Sequence, residues 1–297
     1  MKRKGGPGGN DELLTPTQMQ SFRDNGYILL PNVLNDKQLL ALREECDDLN
    51  KQTTPDELVE LGCVLDIFAS ANRSNASRTQ AHAYTELRRA LLGHESPRGI
   101  LDLIFDELPD YMTMLLPRKG ANDHVSDLYF FNEHYVAKPP ASKVEFRWHQ
   151  VRSLEANLCM TLHKDDTEQL GMCVHRESVP WYLSAWCALD DVTTENGALQ
   201  FRPINIPHDE DDPFQDVTPP VVASAGSVLI FRSDIWHFSA ANTTDTVRRA
   251  FYVQYSPCPI TARPQSPTPL CCAIPMELSS FKSKNQVPRS SDDRSIE

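Results

Sequence analysis

The chain has 297 residues, enough for one large β-rich domain with helical decoration or for two small domains. Apolar residues make up 40% and charged residues 24%, ordinary for a globular protein, and the net charge of −12 argues against a nucleic-acid partner, whose phosphates want a basic surface. No apolar run is long enough to span a bilayer, and the eight cysteines form no Cys-x-x-Cys pair, so neither a membrane partner nor a structural zinc site is expected.

Residues 1–12 are basic and Gly-rich with no apolar core, which predicts a disordered tail and not a secretory signal. The cysteines are therefore expected as free thiols in a reducing, cytoplasmic setting, and the ending at Glu297 is not a peroxisomal Ser-Lys-Leu. A helix is predicted after Thr15, with Pro16 in its first turn, Gln18 completing a capping box and Gly26 closing it. Tyr27 to Pro31 reads as a short strand. Asn35, with Gln38 three residues on, caps a second helix running to about Asn50, with Leu39, Leu40, Leu42 and Cys46 at helical spacing.

Residues 54–115 read as mostly helical, and the whole of 13–120 as the helical part of a single domain ending near 260. From about Asp127 to Pro257 the pattern changes to short strands: Leu128 to Phe131, Val144 to His149, Leu183 to Leu189, Ala198 to Phe201, Ser227 to Phe231 and Ala250 to Tyr255. Many short strands separated by turn signals point to a mainly β sandwich or barrel. Residues 261–297, rich in Pro and Ser, read as an extended tail.

Three residues in this β region suit a mononuclear iron centre, which needs two histidines and one carboxylate on one face. In His163-Lys164-Asp165 the first and third side chains lie on one side of a strand and can reach one ion. His237, from a later strand, supplies the second histidine. Arg248 lies eleven residues further, a separation that suits a turn and a return along the neighbouring strand. Its planar fork matches a carboxylate, and Ser239 offers a hydroxyl to the same group. Arg249, on the opposite strand face, reads as a surface ion pair. Asp190-Asp191 and Asp209 to Asp212 read as solvated turns. His134, on a strand near the site, is a candidate for touching substrate.

The conjunction of these residues carries a family resemblance. Leu183-Ser-Ala-Trp-Cys-Ala-Leu-Asp-Asp-Val-Thr-Thr-Glu-Asn-Gly-Ala-Leu199, the stretch from Trp236 to Pro257, and Phe22-Arg-Asp-Asn-Gly-Tyr-Ile-Leu-Leu-Pro31 resemble the phytanoyl-CoA dioxygenase family over residues 14–260. The resemblance implies a double-stranded β-helix of the jelly-roll, cupin-like kind. It also implies Fe(II), 2-oxoglutarate as co-substrate, O2 and a small organic or acyl substrate hydroxylated with release of succinate and CO2. By the same match Trp186 falls where the family places an aromatic near the co-substrate. Lys164, where the family usually has Gln, is grouped with the co-substrate residues. The loop from Pro203 to His208 lacks the family's common Pro-Gly-Ser-His. No patch for the phosphates of coenzyme A stands out, Arg88-Arg89 and Arg118-Lys119 being weak candidates.

The first histidine has two claimants. Phe146-Arg-Trp-His149-Gln-Val151 also reads as the strand entering a metal motif, with Val in the carboxylate position. In related iron halogenases a small residue there leaves room for halide. Spacing favours the later pair, since Asp165 precedes Trp186 by 21 positions and Val151 precedes it by 35. Deleting 149–162 or 150–163 leaves the same string, Phe-Arg-Trp-His-Lys-Asp-Asp, so about fourteen residues read as an insertion, either a loop or a retained intron. The assignment is His163, Asp165 and His237 as metal ligands, with His149 as the alternative to His163. The rival functions are a non-catalytic jelly-roll binding protein that has lost its iron and a zinc hydrolase, which would leave Arg248 without a purpose.

Overall fold

Three helices in the N-terminal part begin at the same device. The Thr15 hydroxyl accepts from Gln18 N while Gln18 Oε1 accepts from Thr15 N at 2.8 Å, opening α1 (Pro16–Asn25). Asn35 and Gln38 do the same for α2 (Asp36–Lys51), and Thr54 and Glu57 for α3 (Pro55–Glu60). Gly26 closes α1 with φ +83, and a side chain there would also press on Ile204 and Ile235. The computed structural model describes residues 13–67, 81–116, 128–149, 181–206, 216–258 and 274–276.

β1 (Tyr27–Leu30) follows α1 directly, and β2 (Val64–Leu65) follows α3. Next come α4 (Ala81–Leu92), then α5 (Arg98–Asp102), a π turn (Leu103–Glu107) and α6 (Leu108–Leu115). The π turn has a covalent cause. Pro109 has no N–H to continue the ladder, and Leu108 N reaches back five residues to Leu103 O.

The remaining strands are β3 (Tyr129–Lys138), β4 (Phe146–His149), β5 (Leu183–Ala188), β6 (Leu199–Arg202), β7 (Val228–Arg232), β8 (Trp236–Ser239), β9 (Arg248–Ser256) and β10 (Ile274–Pro275). All pair antiparallel. The large sheet runs β1-β7-β5-β9-β3-β10, with β2 also against β3, and the small sheet runs β4-β8-β6. β10 lies within the stretch read from sequence as an extended tail. Its Ile274 is buried opposite Phe130, so this stretch adds a strand to the large sheet.

Strand alternation splits the large sheet into two faces. On β9, Phe251, Val253 and Tyr255 join the helices in one core, with Leu42, Cys46, Tyr84 and Met112. Ala250 and Tyr252 point the other way and join Trp186, Phe201, Leu229, Phe231 and Ile235 in a second core between the two sheets. Two antiparallel sheets enclosing an inner core, with helices on the outside of one, make the jelly roll that the family resemblance implies, within the sandwich class that the strand pattern predicts.

The outer core holds a buried ionic cluster. The Arg88 guanidinium binds both oxygens of Glu45, Glu133 Oε1 and Ser96, while the Tyr84 hydroxyl donates to Glu133 and the Tyr135 hydroxyl to Glu45. Arg88 is therefore no phosphate contact, which corrects the reading of Arg88-Arg89 as a candidate patch. Arg89 is held by Glu86 and Glu95. Arg118 and Lys119 lie outside the described residues.

Candidate active site

β8 is four residues long and alternates strictly, so Trp236 and Phe238 point outward while His237 and Ser239 point into the inner core. His237 is 4% exposed and sits beside the rings of Phe231 and Phe201. Its Nδ1 lies 3.1 Å from Ile235 O. A carbonyl can only accept, so Nδ1 is the donor here, which in the neutral ring puts the lone pair on Nε2. A backbone acceptor at Nδ1 fixes the ring in the way common for imidazoles that bind metals.

Arg248, the first residue of β9, is 2% exposed. Nε donates to Asn196 O at 3.3 Å, and Nη2 to Gly197 O and Ser239 Oγ, each at 3.4 Å. These bonds are long and their acceptors are neutral. Nη1 is buried and has no partner among the described residues. Burial draws the guanidinium down from its ordinary value to about 10, with Cys63 and Asp190 opposing that weakly. The Trp186 ring centroid lies 5.3 Å from Arg248 Cζ.

The carbonyls around Arg248 come from one turn. The Asn196 side chain accepts from Thr193 N and donates to Asp191 O, which fixes the turn internally. Gly197 has φ +88, and any Cβ there would overlap the Ala240 carbonyl oxygen. Only glycine combines that conformation with so close an approach to β8. The Ser239 hydroxyl spends its proton on Gly197 O at 2.8 Å. Lys138 Nζ donates to Ser239 Oγ at 2.9 Å and to Ser239 O at 3.1 Å.

The structure thus brings together His237, Ser239, Arg248 and Trp186 of the residues expected from sequence. His163, Lys164 and Asp165 lie outside the described residues, and among the described residues no three His, Cys, Asp or Glu side chains gather to hold a metal. β4 pairs antiparallel with β8, and its backbone register sets residue 149 opposite residue 237. His134 lies on the inner face of β3, stacked 4.7 Å from Tyr252. Beside it Asn132 donates to Gln254, while Tyr252 and Gln254 both donate to Ser184. Arg249 faces outward and binds Asp190 and Asp47, and Asp191 accepts from Ala225 N, so both turn acids have structural partners.

The family model described as Phytanoyl-CoA dioxygenase (PhyH) matches residues 22–250, a span that contains β1 through the start of β9 and every residue just named except Tyr252 and Gln254. The chain belongs to the phytanoyl-CoA dioxygenase family. Solved structures with similar folds include the non-haem α-ketoglutarate-dependent carbocyclase SnoK from nogalamycin biosynthesis. It has a TM-score of 0.54 at 19% identity, with 92% of this chain and 97% of that one covered. The epimerase SnoN, solved with Fe3+, α-ketoglutarate and nogalamycin RO, aligns at a TM-score of 0.51 and 17% identity over 88% of this chain and 94% of its own. AviO1 from Streptomyces viridochromogenes Tue57 aligns at 0.52 and 17% over 88% of this chain and 100% of its own. At these identities the likeness establishes the shared fold.

Within this phytanoyl-CoA dioxygenase family fold, sequence reading missed Lys138 and the Asn196 and Gly197 carbonyls. A lysine closing a strand carries no local sign of burial, and backbone acceptors leave no trace in side-chain patterns. Glu195-Asn196-Gly197 was visible as a turn. Its role in holding Arg248 follows only from the pairing of distant strands.

Proposed function

We propose that the protein is an Fe(II)- and 2-oxoglutarate-dependent oxygenase that hydroxylates a small organic or acyl substrate, with iron held by His237, Asp165 and His163. The observation that carries this reading is the buried Nη1 of Arg248, which has no partner among the described residues. An unmet charged donor inside a core is costly, and a carboxylate is the group that meets it best. The anion-binding residues fit the dicarboxylate, and the His237 tautomer fits a metal.

Bound iron and 2-oxoglutarate would supply the oxidation, splitting the co-substrate into succinate and CO2 as O2 is reduced and one oxygen atom passes to the substrate. The chain's own part is placement. Arg248 would receive the far carboxylate of the co-substrate, with Trp186 as an apolar wall beside it. The Ile235 carbonyl holds the His237 ring in one orientation. Phe201, Phe231 and Tyr252 keep the surroundings apolar and exclude water. His134 is the side chain on this face most suited to meeting substrate. His149 remains the alternative to His163, on its backbone register with His237 alone.

The test is anaerobic titration of Fe(II) and 2-oxoglutarate, followed by aerobic succinate measurement, on wild type and the variants Asp165→Ala, His163→Ala, His149→Ala and Arg248→Met. Loss of iron binding in Asp165→Ala and in one histidine variant is expected, with loss of 2-oxoglutarate binding in Arg248→Met. Unchanged binding in Asp165→Ala would remove the triad. Absence of succinate with any metal would favour the non-catalytic binding protein.

A further inference from the structure

Lys138 is the last residue of β3 and stands directly across the ladder from Arg248. It is 0% exposed, an unusual place for an ammonium. Nζ donates to three neutral oxygens of one short segment: Ser239 O, Ser239 Oγ and the Ala240 carbonyl. The ring of Phe146 lies 4.9 Å away. Gly197 makes room on the other side, since a Cβ there would come within 3.2 Å of Nζ.

These contacts close a circuit. The Ser239 hydroxyl accepts from Lys138 and from Arg248 and gives its one proton to Gly197 O. Gly197 O also accepts from Arg248. A hydroxyl has two lone pairs and one hydrogen, so Ser239 is saturated and its rotation is fixed. The hydroxyl that sequence reading offered to the co-substrate is thereby committed to holding Arg248. With Nε and Nη2 held by this ring of acceptors, Nη1 is the guanidinium nitrogen left over for an incoming anion.

We propose that Lys138 is a positioning residue for the anion site. Its ammonium orders Ser239 and the Glu195 to Gly197 turn, so that Arg248 is preset to receive the far carboxylate of a dianionic 2-oxo acid. The inference rests on the 2-oxoglutarate reading above and deepens it. Lys138 acts through Ser239 and is not required to touch the co-substrate. Preset donors bind an anion more tightly because less side-chain freedom is lost on binding.

The experiment is anaerobic binding to the Fe(II)-loaded full-length protein of two probes, 2-oxoglutarate and 2-oxopentanoate, which differ only in the far carboxylate. Lys138→Met is expected to weaken 2-oxoglutarate by about ten-fold or more, the scale of one lost charge-assisted hydrogen bond, and to leave 2-oxopentanoate unchanged. Ser239→Ala, a smaller change, is expected to give the same selective loss. The double variant should be no worse than either single one, because both break one circuit. Lys138→Met binding 2-oxoglutarate as wild type does would overturn the proposal. So would equal loss of both probes together with a lowered melting temperature, the mark of a merely structural role. If Lys138→Met does not fold, Ser239→Ala decides: an unselective effect or none sinks the circuit. Arg248→Met separates the two levels. Were it to bind 2-oxoglutarate normally, the co-substrate reading itself would fall, whereas loss there with no effect at Lys138 would defeat only this inference.

Discussion

At the scale of single residues, the protein places strong cations where water cannot reach them. Arg248 is the clearest case, since burial draws its guanidinium down to about 10. The folded value lies below the unfolded one. The charged form therefore costs stability at neutral pH, and that cost is removed as pH rises through about 10 and the proton leaves. Binding of an anion runs the other way, because only the cation attracts a carboxylate. Affinity for 2-oxoglutarate should thus be level from neutral pH to about 9 and fall as pH climbs past about 10. In Arg248→Lys the fall should start at lower pH, because an ammonium begins from a lower ordinary value and burial depresses it too. Binding titrations at stepped pH check both statements. Affinity that stays level through pH 11 would mean that Arg248 keeps its charge there and that burial does not lower it that far.

The elements show which parts of the architecture could be read locally. Capping boxes are short-range objects, and Thr15 with Gln18 and Asn35 with Gln38 announced α1 and α2 from side-chain chemistry alone. The short apolar run from Ala250 to Tyr255 announced β9. Pairing was not legible: β3 meets β9 across more than a hundred residues, and nothing near Lys138 in sequence points to Arg248. Arg88 shows the same limit in reverse. Next to Arg89 it looks like half of a basic patch, yet one helical turn from Tyr84 it faces the core and meets Glu45 on α2 and Glu133 on β3. Arg88→Met should therefore cost about 3–5 kcal/mol in urea unfolding, because it strands two buried carboxylates. Arg89→Ala should leave the midpoint where it was. Desolvation raises the Glu133 carboxyl above its ordinary value despite Arg88, and its Oε2 has no partner among the described residues. A raised folded value means stability present in acid and lost as pH rises, so Glu133→Gln should flatten that loss. A variant as pH-sensitive as wild type would show that Glu133 is not its source.

The whole molecule divides its large sheet between two tasks, and the inner one depends on how the small sheet is closed. On the outer face, helices and the Arg88 cluster fix the sheet. On the inner face, β8 carries His237 toward the core and β4 lies beside it. The chain then runs from His149 through the segment that reads as an insertion before reaching Lys164-Asp165. Deleting 150–163 would join His149 straight to Lys164-Asp165. The result is His-x-Asp at the end of β4, its histidine already in backbone register with His237. Both claimants for the first ligand merge into one residue, so their rivalry vanishes in this variant. No described contact of β4 with β8 is removed, because Phe146 through His149 are kept. The deletion protein is therefore expected to melt no lower than the full chain and to bind Fe(II) with 2-oxoglutarate at least as tightly. Shortening a connection also reduces the entropy cost of closing it, by an amount that grows only slowly with length, so a large gain in stability is not expected. A deletion variant that keeps its melting temperature but loses iron-dependent 2-oxoglutarate binding would show that residues 150–163 supply a ligand β4 cannot. That outcome would assign the role to His163 and exclude His149.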